Sequence, residues 1–149
     1  TGGKLITIEI DRYTHEQAVK NFKAAGLEKY IDARLGDAHK LVPELLGPFD
    51  FVFCDADKDW YKNYLDAVLP KLTVGGCFAA HNVTDYGFDQ ASGSRYRGAF
   101  RGGFGRGFGA GPWGYDFLQY ARSLPNLDTK VLNLPGSHGL SVSYKIAEK

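Results

Sequence analysis

The stretch Phe49-Asp50-Phe51-Val52-Phe53-Cys54-Asp55-Ala56-Asp57-Lys58 decides the fold. Six residues rich in aromatic and β-branched side chains read as a strand of a covered sheet, Phe49 to Cys54. Two carboxylates and an ammonium follow within four residues. Gly47-Pro48 punctuates the run on its upstream side. Downstream, Tyr61, Tyr64, Leu65, Val68, Leu69 and Leu72 recur at helical spacing, which predicts a helix over 58–72. Gly75-Gly76 is expected to turn that helix into a further apolar strand, Cys77 to Ala80.

Upstream the same rhythm repeats. Leu5 to Ile10 reads as a strand. A helix follows Asp11, with Ala18, Val19, Phe22 and Ala25 on one face, and it closes at Gly26. Tyr30 to Leu35 reads as a strand and His39 to Leu46 as a short helix. Strands alternating with helices predict an α/β fold with a parallel, Rossmann-like sheet. Beyond an insert, Trp113 to Ser123 reads as a helix with Phe117, Leu118 and Ala121 inward. Strands over 129–134 and 139–146 are expected to close the sheet as an antiparallel hairpin.

Ligands of such sheets gather beyond the carboxyl ends of the strands. Here those ends carry Glu9 and Asp11, Gly36-Asp37, Asp55 to Lys58, and His81-Asn82. Glu9 is placed to accept from ribose hydroxyls and Asp37 from an adenine amino group; the competing reading for each acid is helix capping. Asp55 and Asn82 offer hard oxygen donors to a divalent ion, and Lys58 beside such an ion is a candidate general base. The bland alternative is an Asp57–Lys58 surface pair with Asp55 as a helix cap. His15, His39 and His138 show no metal-ligand spacing.

Composition bounds the rest. The chain has 149 residues, with 18 Lys and Arg against 17 Asp and Glu, so its net charge is +1. That balance excludes a uniformly polybasic nucleic-acid binder and an acidic tail protein. No apolar run approaches the roughly 18 residues of a membrane span. Thr1-Gly2-Gly3-Lys4 has no secretory leader character, so a cytoplasmic protein without a membrane partner is expected. Cys54 and Cys77 lie in apolar runs and are expected to be buried thiols. The chain contains no Met, and it is therefore expected to be part of a longer product.

Residues 91–114 stand apart as an insert of nine glycines and four arginines without an acid. Glycine at that density favours neither helix nor strand. The insert carries +4 (Arg95, Arg97, Arg101, Arg106), which leaves −3 for the remainder of a chain of net +1. Its Arg-Gly-Phe texture makes residues 93–111 a candidate RNA contact; a plain surface loop is the competing reading.

The segments TGGKLITIEID (1–11), GDAHKLVPELLGPFDFVFCDADKDWYKNYLDAVLPKLTVGGCFAAHNV (36–83) and GLSVSYK (139–145) resemble the class I S-adenosylmethionine-dependent O-methyltransferases of the caffeoyl-CoA and catechol type. The resemblance implies methyl transfer from S-adenosylmethionine to a hydroxyl of a small-molecule acceptor. It implies cofactor contacts at Glu9, Asp37, Ala38, Asp55 and Asp57, catalysis by Lys58, and a divalent cation such as Mg²⁺ at Asp55, His81 and Asn82. It also implies a homodimer as the common assembly. His81 stands where relatives have a carboxylate, which weakens a Mg²⁺ site, tilts it toward softer ions, or removes the metal altogether.

The family's glycine-rich cofactor loop precedes the strand at 5–10 and has no counterpart here. The methyltransferase domain, 1–149, is thus expected to be partial, its sheet incomplete on the N-terminal side and its hold on the cofactor weak. Strands 5–10 and 49–54 would each keep an unpaired apolar edge. A methyltransferase-like module without catalysis, binding RNA or a protein partner through the insert, is the alternative of another class.

Overall fold

A computed structural model describes residues 2–84, 113–133 and 138–148. These fall into two compact units, Thr1–Leu46 and Gly47–Lys149. Mixed parallel and antiparallel pairing with covering helices makes the fold α/β and Rossmann-like. Of the insert at 91–114, residues 91–112 lie outside the described residues, and with them the RNA reading of 93–111, while 113 and 114 open the helix that follows.

In the first unit, β1 (Leu5–Glu9) pairs in parallel with β2 (Ile31–Leu35) through α1 (Arg12–Ala24), and α2 (Ala38–Glu44) follows. Asp11 caps α1 by accepting from Thr14 N–H at 2.7 Å, and that bond holds its carboxyl below the usual range. Helix α1 ends where the sequence places its stop, with Gly26 at φ +66°. Its apolar face is only half covered: Ala18 and Phe22 are partly buried, and Val19 and Ala25 are exposed.

The second unit holds the core. Its sheet has the order β3–β4–β6–β5, with β3 (Phe49–Cys54), β4 (Leu72–His81), β5 (Leu127–Leu132) and β6 (Leu140–Lys145). Strands β3 and β4 run parallel, while β6 is antiparallel to both β4 and β5, as the closing hairpin requires. Between β3 and β4 the chain forms a 3₁₀ turn, Lys58–Trp60, then α3 (Tyr61–Val68), then a second 3₁₀ turn. Tyr61, Tyr64, Leu65 and Val68 are buried on one face of α3, as their spacing predicts. From α4 (Trp113–Ser123), Phe117, Leu118 and Ala121 are buried as well. Both cysteines are buried and free.

Two expectations change. The sequence reads Gly75-Gly76 as a turn ahead of the strand, yet β4 already begins at Leu72 and runs through the glycines with a bulge opposite β3. A Cβ on Gly76 would lie 2.8 Å from the Thr73 carbonyl of the same strand and 3.1 Å from the Asp50 carbonyl of β3, so the bulge leaves little room for a side chain at this position. Strand β3, read as covered on both faces, has Phe51 and Phe53 62% and 56% exposed, while its place at the edge of the sheet among the described residues agrees with the unpaired edge expected for 49–54. Among the described residues its partner is β4, and that of β1 is β2.

Candidate functional site

The parallel register of β3 and β4 builds the cluster. Cys54 lies opposite Ala80, so the next residues, Asp55 and His81, emerge side by side at the carboxyl ends of their strands. His81 Nδ1 is 3.3 Å from Asp55 Oδ2. Lys58, on the turn after β3, donates to Asp55 Oδ1 at 2.6 Å and to the Tyr61 hydroxyl at 2.6 Å. Tyr61 donates in turn to the His81 carbonyl at 2.9 Å, which closes the ring of contacts onto β4. Burial pushes the Tyr61 hydroxyl well above its ordinary range, so it remains a donor.

Lys58 therefore pairs with Asp55, and the Asp57–Lys58 pair of the bland reading is replaced. Asp57 instead accepts from the buried Tyr64 hydroxyl at 2.8 Å. Asn82 follows with φ +59°, a left-handed conformation that Asn tolerates better than most residues. Its Oδ1 is buried without a hydrogen-bond partner among the described residues. Buried oxygens are rarely left so, and each exception calls for an explanation.

His138, which sequence spacing leaves aside, comes to this place. Its ring lies 6.3 Å from that of His81, centroid to centroid. Backbone bonds hold the approach: Val83 N–H donates to the Gly139 carbonyl at 3.3 Å and Thr84 N–H to the His138 carbonyl at 3.1 Å. No pattern along the chain carries that signal, since 56 residues lie between positions 81 and 138.

Glu9, Asp37 and Ala38 belong to the other unit. Glu9 ends β1, and its Oε1 accepts from Asp11 N–H at 2.8 Å. That bond holds one of the two carboxylate oxygens. Asp37 caps α2, accepting from His39 N–H at 3.0 Å, so the capping reading describes one of its oxygens. Ala38 is the first residue of α2.

One observation bears on a divalent cation here: Asn82, the residue after His81, carries a buried Oδ1 without a hydrogen-bond partner among the described residues. Among the described residues no three His, Cys, Asp or Glu side chains form a ligand cluster by themselves.

A family model described as O-methyltransferase matches residues 1–99. The chain belongs to the O-methyltransferase family. A catechol O-methyltransferase of Niastella koreensis is 39% identical over 85 residues, covering 54% of this chain and 38% of that protein. Caffeoyl-CoA O-methyltransferase 1 of Eucalyptus globulus is 35% identical over 85 residues, covering 54% and 35%. The aligned part thus spans little more than a third of these O-methyltransferases. Two solved structures share the fold: an O-methyltransferase from Bacillus cereus in complex with SAH (TM-score 0.74, 20% identity, 97% of this chain and 64% of that one) and the O-methyltransferase TomG of Streptomyces achromogenes in complex with SAM (TM-score 0.74, 22% identity, 97% and 63%). The module without catalysis, the competing reading of the sequence, gains no support from these relatives. Among the described residues, no helix is long and apolar enough to cross a membrane.

Proposed function

We propose that the chain takes part in methyl transfer from S-adenosylmethionine to a hydroxyl of a small-molecule acceptor, assisted by a divalent cation. The observation that carries this reading is the Lys58–Asp55–His81 cluster, followed in the chain by Asn82 with its orphaned oxygen, at the strand ends of an O-methyltransferase family member. Bound S-adenosylmethionine supplies a methyl group on a sulfonium centre for in-line displacement. Asp55, His81 and Asn82 are the residues that hold the cation, whose chemistry is to lower the proton affinity of the acceptor oxygen.

In its amine form Lys58 accepts the hydroxyl proton, and Asp55 and the Tyr61 hydroxyl then hold the resulting ammonium in the arrangement seen here. Glu9 serves the ribose hydroxyls, Asp37 and Ala38 the adenine, and Asp57 the cofactor near the reacting end. Relatives named for catechol and caffeoyl-CoA make these the first acceptors to try. A homodimer is the assembly that the family resemblance implies, and sedimentation tests it.

The decisive experiment is calorimetric titration of the full-length gene product with S-adenosylmethionine. Saturable binding is expected, weakened about tenfold or more in Glu9→Ala through loss of charge-assisted hydrogen bonds. No saturable binding by the wild type, or an unchanged affinity in Glu9→Ala, rejects the assignment. Radiolabelled methyl transfer to catechol then tests the reaction, and Lys58→Met is expected to lower kcat by about a hundredfold or more.

A further inference from the structure

We propose that the carboxyl ends of β3 and β4 form an imidazole-type cation site that takes a borderline divalent ion, of the zinc, cobalt or nickel class, in preference to magnesium. His81 is its nitrogen ligand, Asp55 and Asn82 its oxygen ligands, and His138 the second imidazole at its margin. The inference deepens the methyl-transfer reading by naming the ion, but its evidence is separate from catalysis.

The first argument is distance. His81 Nδ1 and Asp55 Oδ2 are 3.3 Å apart, longer than the about 2.7–2.9 Å of a charge-assisted hydrogen bond. Two donors each about 2.1 Å from one ion stand about 3.0–3.4 Å apart at octahedral to tetrahedral angles. The pair is a long hydrogen bond or ion pair as it stands, and at that separation both groups can also reach one ion. The second argument is the buried, unpartnered Asn82 Oδ1 on the adjoining residue, which needs a positive partner.

The third is support from the surrounding groups. Lys58 binds the other oxygen of Asp55 at 2.6 Å, and the Tyr61 hydroxyl bonds the His81 carbonyl at 2.9 Å. The first bond orients the Asp55 carboxylate from outside, as the partners of ligating groups do in metal sites, and the second holds the β4 backbone at His81.

Charge and softness select the ion. Asp55 is the single carboxylate of the set, and Lys58 already neutralises much of its charge. Magnesium binds through carboxylates, phosphates and water in strict octahedral geometry, and an imidazole in place of an oxyanion offers it little. Zinc, cobalt and nickel favour mixed imidazole and carboxylate ligands. His138, at 6.3 Å between ring centroids, adds a second imidazole that a hard ion would not use.

The test is direct metal binding by the full, chelator-stripped chain, with far-UV circular dichroism to verify that each variant is folded. Calorimetry with ZnCl₂ is expected to show one site, and CoCl₂ to give a visible d–d absorption. MgCl₂ at about 1 mM is expected to give no binding heat. His81→Asn should weaken zinc about tenfold or more, and His138→Ala by a smaller factor. His81→Asp should create magnesium binding where the wild type has none. The proposal is overturned if the wild type binds magnesium as tightly as His81→Asp does, or if His81→Asn leaves zinc affinity unchanged. An unchanged affinity in His138→Ala removes the second imidazole. None of these readouts needs methyl transfer, so an inactive chain that binds zinc through His81 rejects the catalytic reading and keeps this one.

Discussion

Tyr61 shows how one side chain joins the core to the candidate site. Its ring is buried edge-on against Phe117, with centroids 5.5 Å apart, while its hydroxyl bonds Lys58 and the end of β4. Tyr61→Phe keeps the ring and deletes both bonds. A loss of about 1–2 kcal/mol in urea unfolding is expected, because the His81 carbonyl and the Lys58 ammonium each lose a partner. Cys54 has a different consequence. Burial pushes its thiol up to about 12 from a reference of 9.0. The folded pKa is raised, so its contribution to stability is complete below pH 9.0 and is lost as pH climbs toward 12. Tyr61 shifts in the same direction, again by burial. The urea midpoint is therefore expected to fall on the alkaline side of pH 9.0. In the folded protein at about pH 8, Cys54 should resist a thiol reagent that labels it after unfolding. A midpoint that stays level up to pH 11, or rapid native labelling of Cys54, contradicts its buried state.

At the scale of elements, β6 carries an unusual anchor. The side chain of Lys145 is 1% exposed, and its ammonium donates to the Leu72 carbonyl at 2.8 Å and to Glu148 at 2.7 Å. It ties the end of β6 to the start of β4. Lys145→Ala is expected to cost about 2–4 kcal/mol, through lost packing of the stem and an unpaired buried carbonyl. Glu148→Gln should cost under about 1 kcal/mol, because the carboxylate is 75% exposed and water replaces the pair. Comparing the two urea midpoints checks the ranking. Periodicity made many elements legible: β3 and α4 keep their predicted bounds, and most other elements shift by one or two residues. Its failures have physical causes. Gly75-Gly76 mimics a turn, whereas here glycine admits a close backbone approach within a bulged strand. His138 is invisible along the chain because the β5–β6 hairpin delivers it. At the candidate site, Asp55, Lys58, His81 and Asn82 were each legible as strand-end residues, but the pairing of Lys58 with Asp55 rather than Asp57 depends on the turn geometry after β3.

Across the whole molecule, burial is uneven. Among the described residues, every buried apolar side chain except Leu45 lies in the unit Gly47–Lys149. The unit Thr1–Leu46 rests on two paired strands with a half-covered helix, and a two-stranded sheet is marginal by itself in water. Opening free energies should therefore differ between the units, since local stability follows buried apolar contact. Hydrogen exchange is the measure. Amides of β4 and β6 are expected to exchange about a hundredfold or more slowly than those of β1 and β2. The contrast bears on the proposed function, because Glu9 ends β1 and Asp37 follows β2, and both are proposed to contact the cofactor. A ligand that binds only the ordered form of this unit stabilises it by mass action. Saturating S-adenosylmethionine should slow exchange across 5–9 and 31–35, and Glu9→Ala should abolish the slowing. Equal exchange in the two units without ligand would show that the first unit draws stability from contacts other than its own buried apolar groups. No slowing with ligand would remove Glu9 and Asp37 from the cofactor site.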